Sequence, residues 1–116
     1  MDNERNLFRL QHVIECIEKI EIITKNLSYG DFLEDWIKQD ALLRNIEIIG
    51  EAIAHVEDEL KLKYPEVAWF EAKGMRNFLI HQYFKIDYDA VWNTYHHDLP
   101  KLKFQILAII NDIKES

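Results

Sequence analysis

Arg76, Asn77, His81 and Tyr83 stand within eight positions of one another in the stretch GMRNFLIHQYFKID, residues 74–87. Histidine can take or give a proton near neutral pH, because its unperturbed pKa lies at about 6.5. Arginine stays charged and offers a planar fork of donors that matches a phosphate. Asparagine can orient a substrate or hold the histidine. Together these groups suit cleavage of an RNA phosphodiester without a metal. One histidine would deprotonate the 2′-hydroxyl, the arginine would stabilise charge on the pentacoordinate phosphorus, and a second histidine would protonate the leaving 5′-oxygen. One chain supplies one such histidine and a two-fold dimer supplies two. The competing reading is structural, with Arg76 paired to an acid such as Glu51 and His81 satisfied in the core.

These residues must be positioned by helices. Three glycines and two prolines in 116 residues leave little punctuation for β-hairpins. Apolar residues at Leu7, Leu10, Ile14, Ile17 and Ile20 keep a three-and-four spacing, which predicts an amphipathic helix from about residue 4 to 26. Ser28, with Asp31 three residues on, predicts a cap for a short helix through Phe32 and Trp36. Asp40 is expected to cap a long helix that Pro65 stops. Residues 67–85 read as the helix carrying the four polar residues. On that helix they span an arc of about 160° at roughly 100° per residue, interleaved with Ile80 and Phe84. Such a mixture fits a half-buried cleft or dimer seam. Asp87 can cap the segment 88–97, and Asp98 with Pro100 marks one more helix start. The last helix has its stripe at Leu102, Ile106, Ile109 and Ile113. The expectation is an all-α bundle of about five or six helices in a single domain, residues 1–116, with strands improbable.

Composition narrows the function. A formal charge of −7 argues against a general nucleic-acid binder, and DNA is not expected as a partner. The charge is uneven. Residues 31–60 hold nine acids and two bases, whereas residues 61–85 hold five bases and two acids, so the motif occupies a locally basic stretch suited to a focused anion site. No apolar run reaches the roughly 20 residues of a membrane span, and the N-terminus lacks the layout of a signal peptide. The lone Cys16 reads as a small buried hydrophobe, and a cytoplasmic location is expected. Phe8, Ile22, Ile23, Trp69 and Phe70 lie at the edges of their stripes, and some are expected to line a subunit interface.

On the long helix, Asp40, Arg44, Glu47 and Glu51 are spaced four, three and four, forming one polar stripe. This is either a solvated, salt-bridged face or a border of the motif, with Arg44 and Glu51 positioning Arg76 or Asn77. His96 and His97 are adjacent and cannot form an i, i+4 metal pair, so they read as surface residues at a helix end. No metal or cofactor is expected.

The residues RNFLIHQY fit R-x-x-x-x-H-x-Y, which resembles the signature of HepT-like toxins in the HEPN ribonuclease superfamily. QDALLRNIEIIGEA, residues 39–52, resembles the family's second characteristic block, and YPEVAW and VWNTYHHDLP resemble its connecting segments. The resemblance implies an all-α HEPN fold, a homodimer, and a metal-independent endoribonuclease site formed where two motifs meet. It implies Arg76 and His81 as catalytic residues and Asn77 as a supporting one. It also implies an MNT-type nucleotidyltransferase antitoxin as partner, able to place AMP from ATP on Tyr83. The alternative from another class is a non-catalytic helical subunit that binds such a nucleotidyltransferase or its substrate.

Overall fold

The computed structural model describes residues 1–82 and 85–116, without the side chains of Phe78, His81 and Gln82. Among the described residues there are eight α-helices: α1 Asn3–Ile23, α2 Tyr29–Leu33, α3 Trp36–Ala54, α4 Asp58–Lys63, α5 Trp69–Lys73, α6 Met75–Leu79, α7 Tyr88–Asn93 and α8 Leu99–Glu115. A π-helical turn, Thr94–Asp98, joins α7 to α8, and two short strands, β1 Ile80–Gln82 and β2 Lys85–Ile86, follow α6. The fold is all-α, as the periodicity predicts. No helix among the described residues is long and apolar enough to cross a membrane.

The three long helices make the core. Leu10, Ile17 and Ile20 of α1, Leu42, Ile46, Ile49 and Ile53 of α3, and Ile106 and Ile109 of α8 are all essentially inaccessible and belong to one cluster. Each buried aliphatic chain of this kind contributes about 1.5–3 kcal/mol relative to exposure. Phe32 anchors α2 in the same cluster and meets the rings of Tyr88 and Trp92. Cys16 is buried with them, and desolvation pushes its thiol pKa up, so it packs as an apolar group rather than serving as a nucleophile. Trp69 is also core, with Nε1 donating to the Tyr64 carbonyl at 2.9 Å, whereas Phe8, Ile22 and Phe70 stay exposed.

The caps explain where the helices begin. Ser28 and Asp87 act as read from the sequence, accepting from Asp31 N at 3.1 Å and Ala90 N at 3.0 Å. The start of α3 does not. Asp35 is its cap, accepting from Lys38 N at 3.1 Å, and Asp40 lies inside the helix. The earlier start is also held by the buried Gln39, whose amide donates to the carbonyls of Phe32 and Leu33 and ties α2 to α3. Asp35→Ala is therefore expected to cost about 1 kcal/mol in urea unfolding. Asp40→Ala, at an exposed position, should stay within about 0.5 kcal/mol of the parent.

The long helix also ends sooner than Pro65. Its C-cap is His55, and α4 follows as a separate element. The break is fixed from outside: the Glu57 amide donates to the buried Asn6 side chain at 3.1 Å, and the Glu57 carboxylate accepts from Asp2 N. Helix-forming residues thus yield to a tertiary tie that bends the chain back onto α1.

The largest correction concerns the motif. No single helix covers residues 67–85. Gly74 (φ −91°, ψ 8°) ends α5 and begins α6, and Ile80 leaves α6 in an extended conformation (φ −120°, ψ 109°). The Leu79 carbonyl accepts from Asp87 N at 2.8 Å, which a continued helix would not permit. β-branched Ile80 lies opposite Ile86 across an antiparallel pair, where such side chains are well accommodated. The expectation that strands are improbable fails at this place.

Candidate functional site

The site is built on the seam between α3 and the short helices that cross it. Gly50 lets them approach: a Cβ there would stand 2.9 Å from the Lys73 carbonyl oxygen, so α5 lies directly on the α3 backbone. Gly74 then turns the chain into α6, whose second residue is Arg76. The turn sets Arg76 against the polar stripe of α3.

Glu47 meets it there. Its Oε1 accepts from Arg76 Nε at 3.2 Å, and its Oε2 lies 3.5 Å from Arg44 NH1. One carboxylate thus bridges two guanidiniums, one from its own helix and one from α6. Its side chain is 24% exposed, against 47% for Arg76 and 64% for Arg44, so the carboxylate is the recessed member and the arginines face outward. Of the residues read from the sequence, Arg44 and Arg76 are brought together and Glu51 is not the link. Glu51 is exposed, and its carbonyl meets His55 Nδ1 at 2.7 Å at the end of α3. The linking residue is Glu47, which the stripe spacing places i, i+3 from Arg44.

Asn77 is exposed on α6, its backbone N–H donating to the Gly74 carbonyl at 2.9 Å. His81 lies in β1, beyond the end of α6, so Arg76 and His81 belong to different elements and the helical-wheel relation between them does not apply. Tyr83 lies outside the described residues. Among the described residues, no group of three or more His, Cys, Asp or Glu is placed to hold a metal ion. His96 and His97 are exposed on the π-helical turn, where the His96 ring packs against Trp92 and Tyr95.

Residues 13–109 match the Ribonuclease HepT-like family model. The chain belongs to the HepT-like ribonuclease family. It is 37% identical over 105 residues to a Methanocaldococcus jannaschii protein provisionally named as an RNase, covering 90% of this chain and 87% of that one. A Thermococcus cleftensis protein provisionally named ribonuclease HepT is 42% identical over 94 residues, or 81% of this chain and 86% of the relative. A second M. jannaschii protein, named as a gamma-glutamylcyclotransferase with a provisional RNase assignment, is 41% identical over 107 residues; the match covers 92% of this chain and 48% of that longer protein. No solved structure matches. Family membership makes this a HEPN-type ribonuclease chain, and the matched span contains both the α3 stripe and the RNFLIHQY motif. In this HepT-like chain the RNFLIHQY segment and the α3 stripe are joined physically, through the Arg76–Glu47–Arg44 bridge.

Proposed function

We propose that this HepT-like chain is a metal-independent endoribonuclease toxin of a toxin–antitoxin pair, acting as a homodimer. The observation that carries the reading is Arg76, half exposed and held through Nε by Glu47. The contact uses one donor of the guanidinium fork, and the fork has others to offer a phosphate. Arg44, exposed beside it, adds a second positive charge. In the reaction, His81 takes the proton of the 2′-hydroxyl as that oxygen attacks phosphorus. The bond to the 5′-oxygen breaks, and His81 of the second protomer protonates it. The products are a 2′,3′-cyclic phosphate and a free 5′-hydroxyl, with Arg76 stabilising charge on the non-bridging oxygens and Asn77 orienting the strand. Exposed Phe8, Ile22 and Phe70 support a subunit interface.

A nucleotidyltransferase antitoxin would silence the enzyme by placing AMP on Tyr83, seven residues after Arg76. The phosphate of that AMP would compete with RNA for the arginine. Co-incubation with the nucleotidyltransferase and ATP should then add one AMP to the parent and none to Tyr83→Phe.

The deciding experiment is cleavage of pooled RNA by the purified chain in EDTA, with folded His81→Ala in parallel. The parent should cut and leave cyclic phosphate ends, and the variant should not. A parent that leaves tRNA, mRNA and rRNA intact overturns the reading.

A further inference from the structure

Leu102, Ile106, Ile109 and Ile110 turn one side of α8 into the core. On the opposite side, Phe104 is 79% exposed and Leu107 41%. At roughly 100° per residue, Lys101, Phe104, Leu107, Ala108, Asn111 and Glu115 fall within an arc of about 120°. All six are exposed, so no described element of the chain covers this stripe. A phenyl ring and a leucine left side by side in water mark a contact surface.

The charges on the stripe decide what it fits. Lys101 stands seven residues before Ala108 and Glu115 seven after it, about two helical turns each way. Among the described residues neither side chain enters an ion pair. A stripe with opposite charges equidistant from its centre is complementary to itself run backwards. A second α8, antiparallel about a two-fold axis at Ala108, sets each lysine against the other copy's glutamate. Parallel pairing would set lysine on lysine and glutamate on glutamate. Alanine at the crossing lets the helix axes close to about 8–10 Å. Phe104 and Leu107 of each copy then pack over Ala108 and Asn111 of the other. A nucleic acid fits poorly, because the stripe offers it one cation and one carboxylate.

We propose that the outer face of α8 is a homotypic docking surface, occupied by α8 of a second copy of this chain. The helix carries none of the residues of the proposed cleavage reaction. The contact is therefore separate from the seam that would join two motifs, and it would link such dimers into larger assemblies. Two single helices bury less than a standard interface, so the pairing should depend on concentration, with Kd in the micromolar range.

The test is disulfide trapping in the full chain. Cys16 is buried, so Ala108→Cys supplies the reactive thiol. At the two-fold axis its two copies come within bonding reach, and oxidation at micromolar concentration should give a covalent dimer. Lys114→Cys is the control on the same helix. Its copies would stand about 18 Å apart along the pair and should not join. Adding Phe104→Glu to Ala108→Cys should abolish trapping. Adding Lys101→Glu should slow it about tenfold, and Glu115→Lys on top of that should restore it. Trapping reads the contact whether or not the chain cuts RNA, so its failure and that of the cleavage reading are separate results. Equal trapping of Ala108→Cys and Lys114→Cys overturns the proposal. So does a charge reversal that the second reversal does not rescue.

Discussion

Arg76→Ala is expected to lower kcat/KM for RNA cleavage by about 10²–10³, the usual consequence of removing one preorganised donor from a developing oxyanion. Arg76→Lys should recover little, because a compact ammonium lacks the rigid planar fork that can be held by Glu47 on one edge and present further donors to a phosphate. The more informative partner experiment is Glu47→Gln. That carboxylate fixes the guanidinium through the 3.2 Å contact and, on the proposed reaction, would also stand beside the phosphate as a competing anion. The two roles separate in the kinetics. Loss of positioning should lower kcat by about tenfold, while loss of the nearby negative charge should lower KM several-fold, on the order of 1 kcal/mol for a partly exposed charge pair. Glu51→Gln, whose side chain is not the link to Arg76, is the control and should change neither. If Glu47→Gln matches the parent in kcat, the bridge is a surface ion pair with no bearing on the reaction.

The sequence carried the architecture further than the site. The helices α1, α3 and α8 are long and strongly periodic, so their buried stripes follow from spacing, and Leu10, Ile17, Ile106 and Ile109 lie where the pattern puts them. The motif segment is different because its conformation is decided from a distance. Nothing between Gly74 and Gln82 announces that the Leu79 carbonyl will be taken by Asp87 N, or that Ile80 will pair with Ile86. An apolar run of this length reads equally as helix or strand, and tertiary ties choose. Asp35 and Asp40 carry the same carboxylate able to cap a helix, and the Gln39 bonds to α2 decide between them. Glu47 lay on the stripe with Arg44 and Glu51. Choosing it as the partner of Arg76 needs the rotation of α6 on α3, which no one-dimensional pattern contains.

Gly50→Ala is expected to destabilise the chain by about 1–3 kcal/mol, as overpacking of a close contact does. For a chain of this size that is on the order of 10 °C in Tm. The direction is the opposite of the usual one: alanine in a helix interior gains about 1 kcal/mol over glycine. Here the added methyl would meet the Lys73 carbonyl at 2.9 Å, and a backbone oxygen cannot rotate away as a side chain would. Relief requires α5 to lift off α3, and α5 is joined through Gly74 to the helix bearing Arg76. The folded fraction of the variant should therefore also lose cleavage, because the Arg76–Glu47 contact opens as the helices part. Gly30→Ala is the matched comparison. A Cβ there meets nothing within 4 Å, so that change should leave Tm and activity at or slightly above the parent's. Thermal unfolding of the two variants, with single-turnover cleavage measured well below Tm, tests whether the close crossing of α3 and α5 sets the position of Arg76 and, through it, the proposed cleavage. Equal Tm values for Gly50→Ala and the parent would mean that it does not.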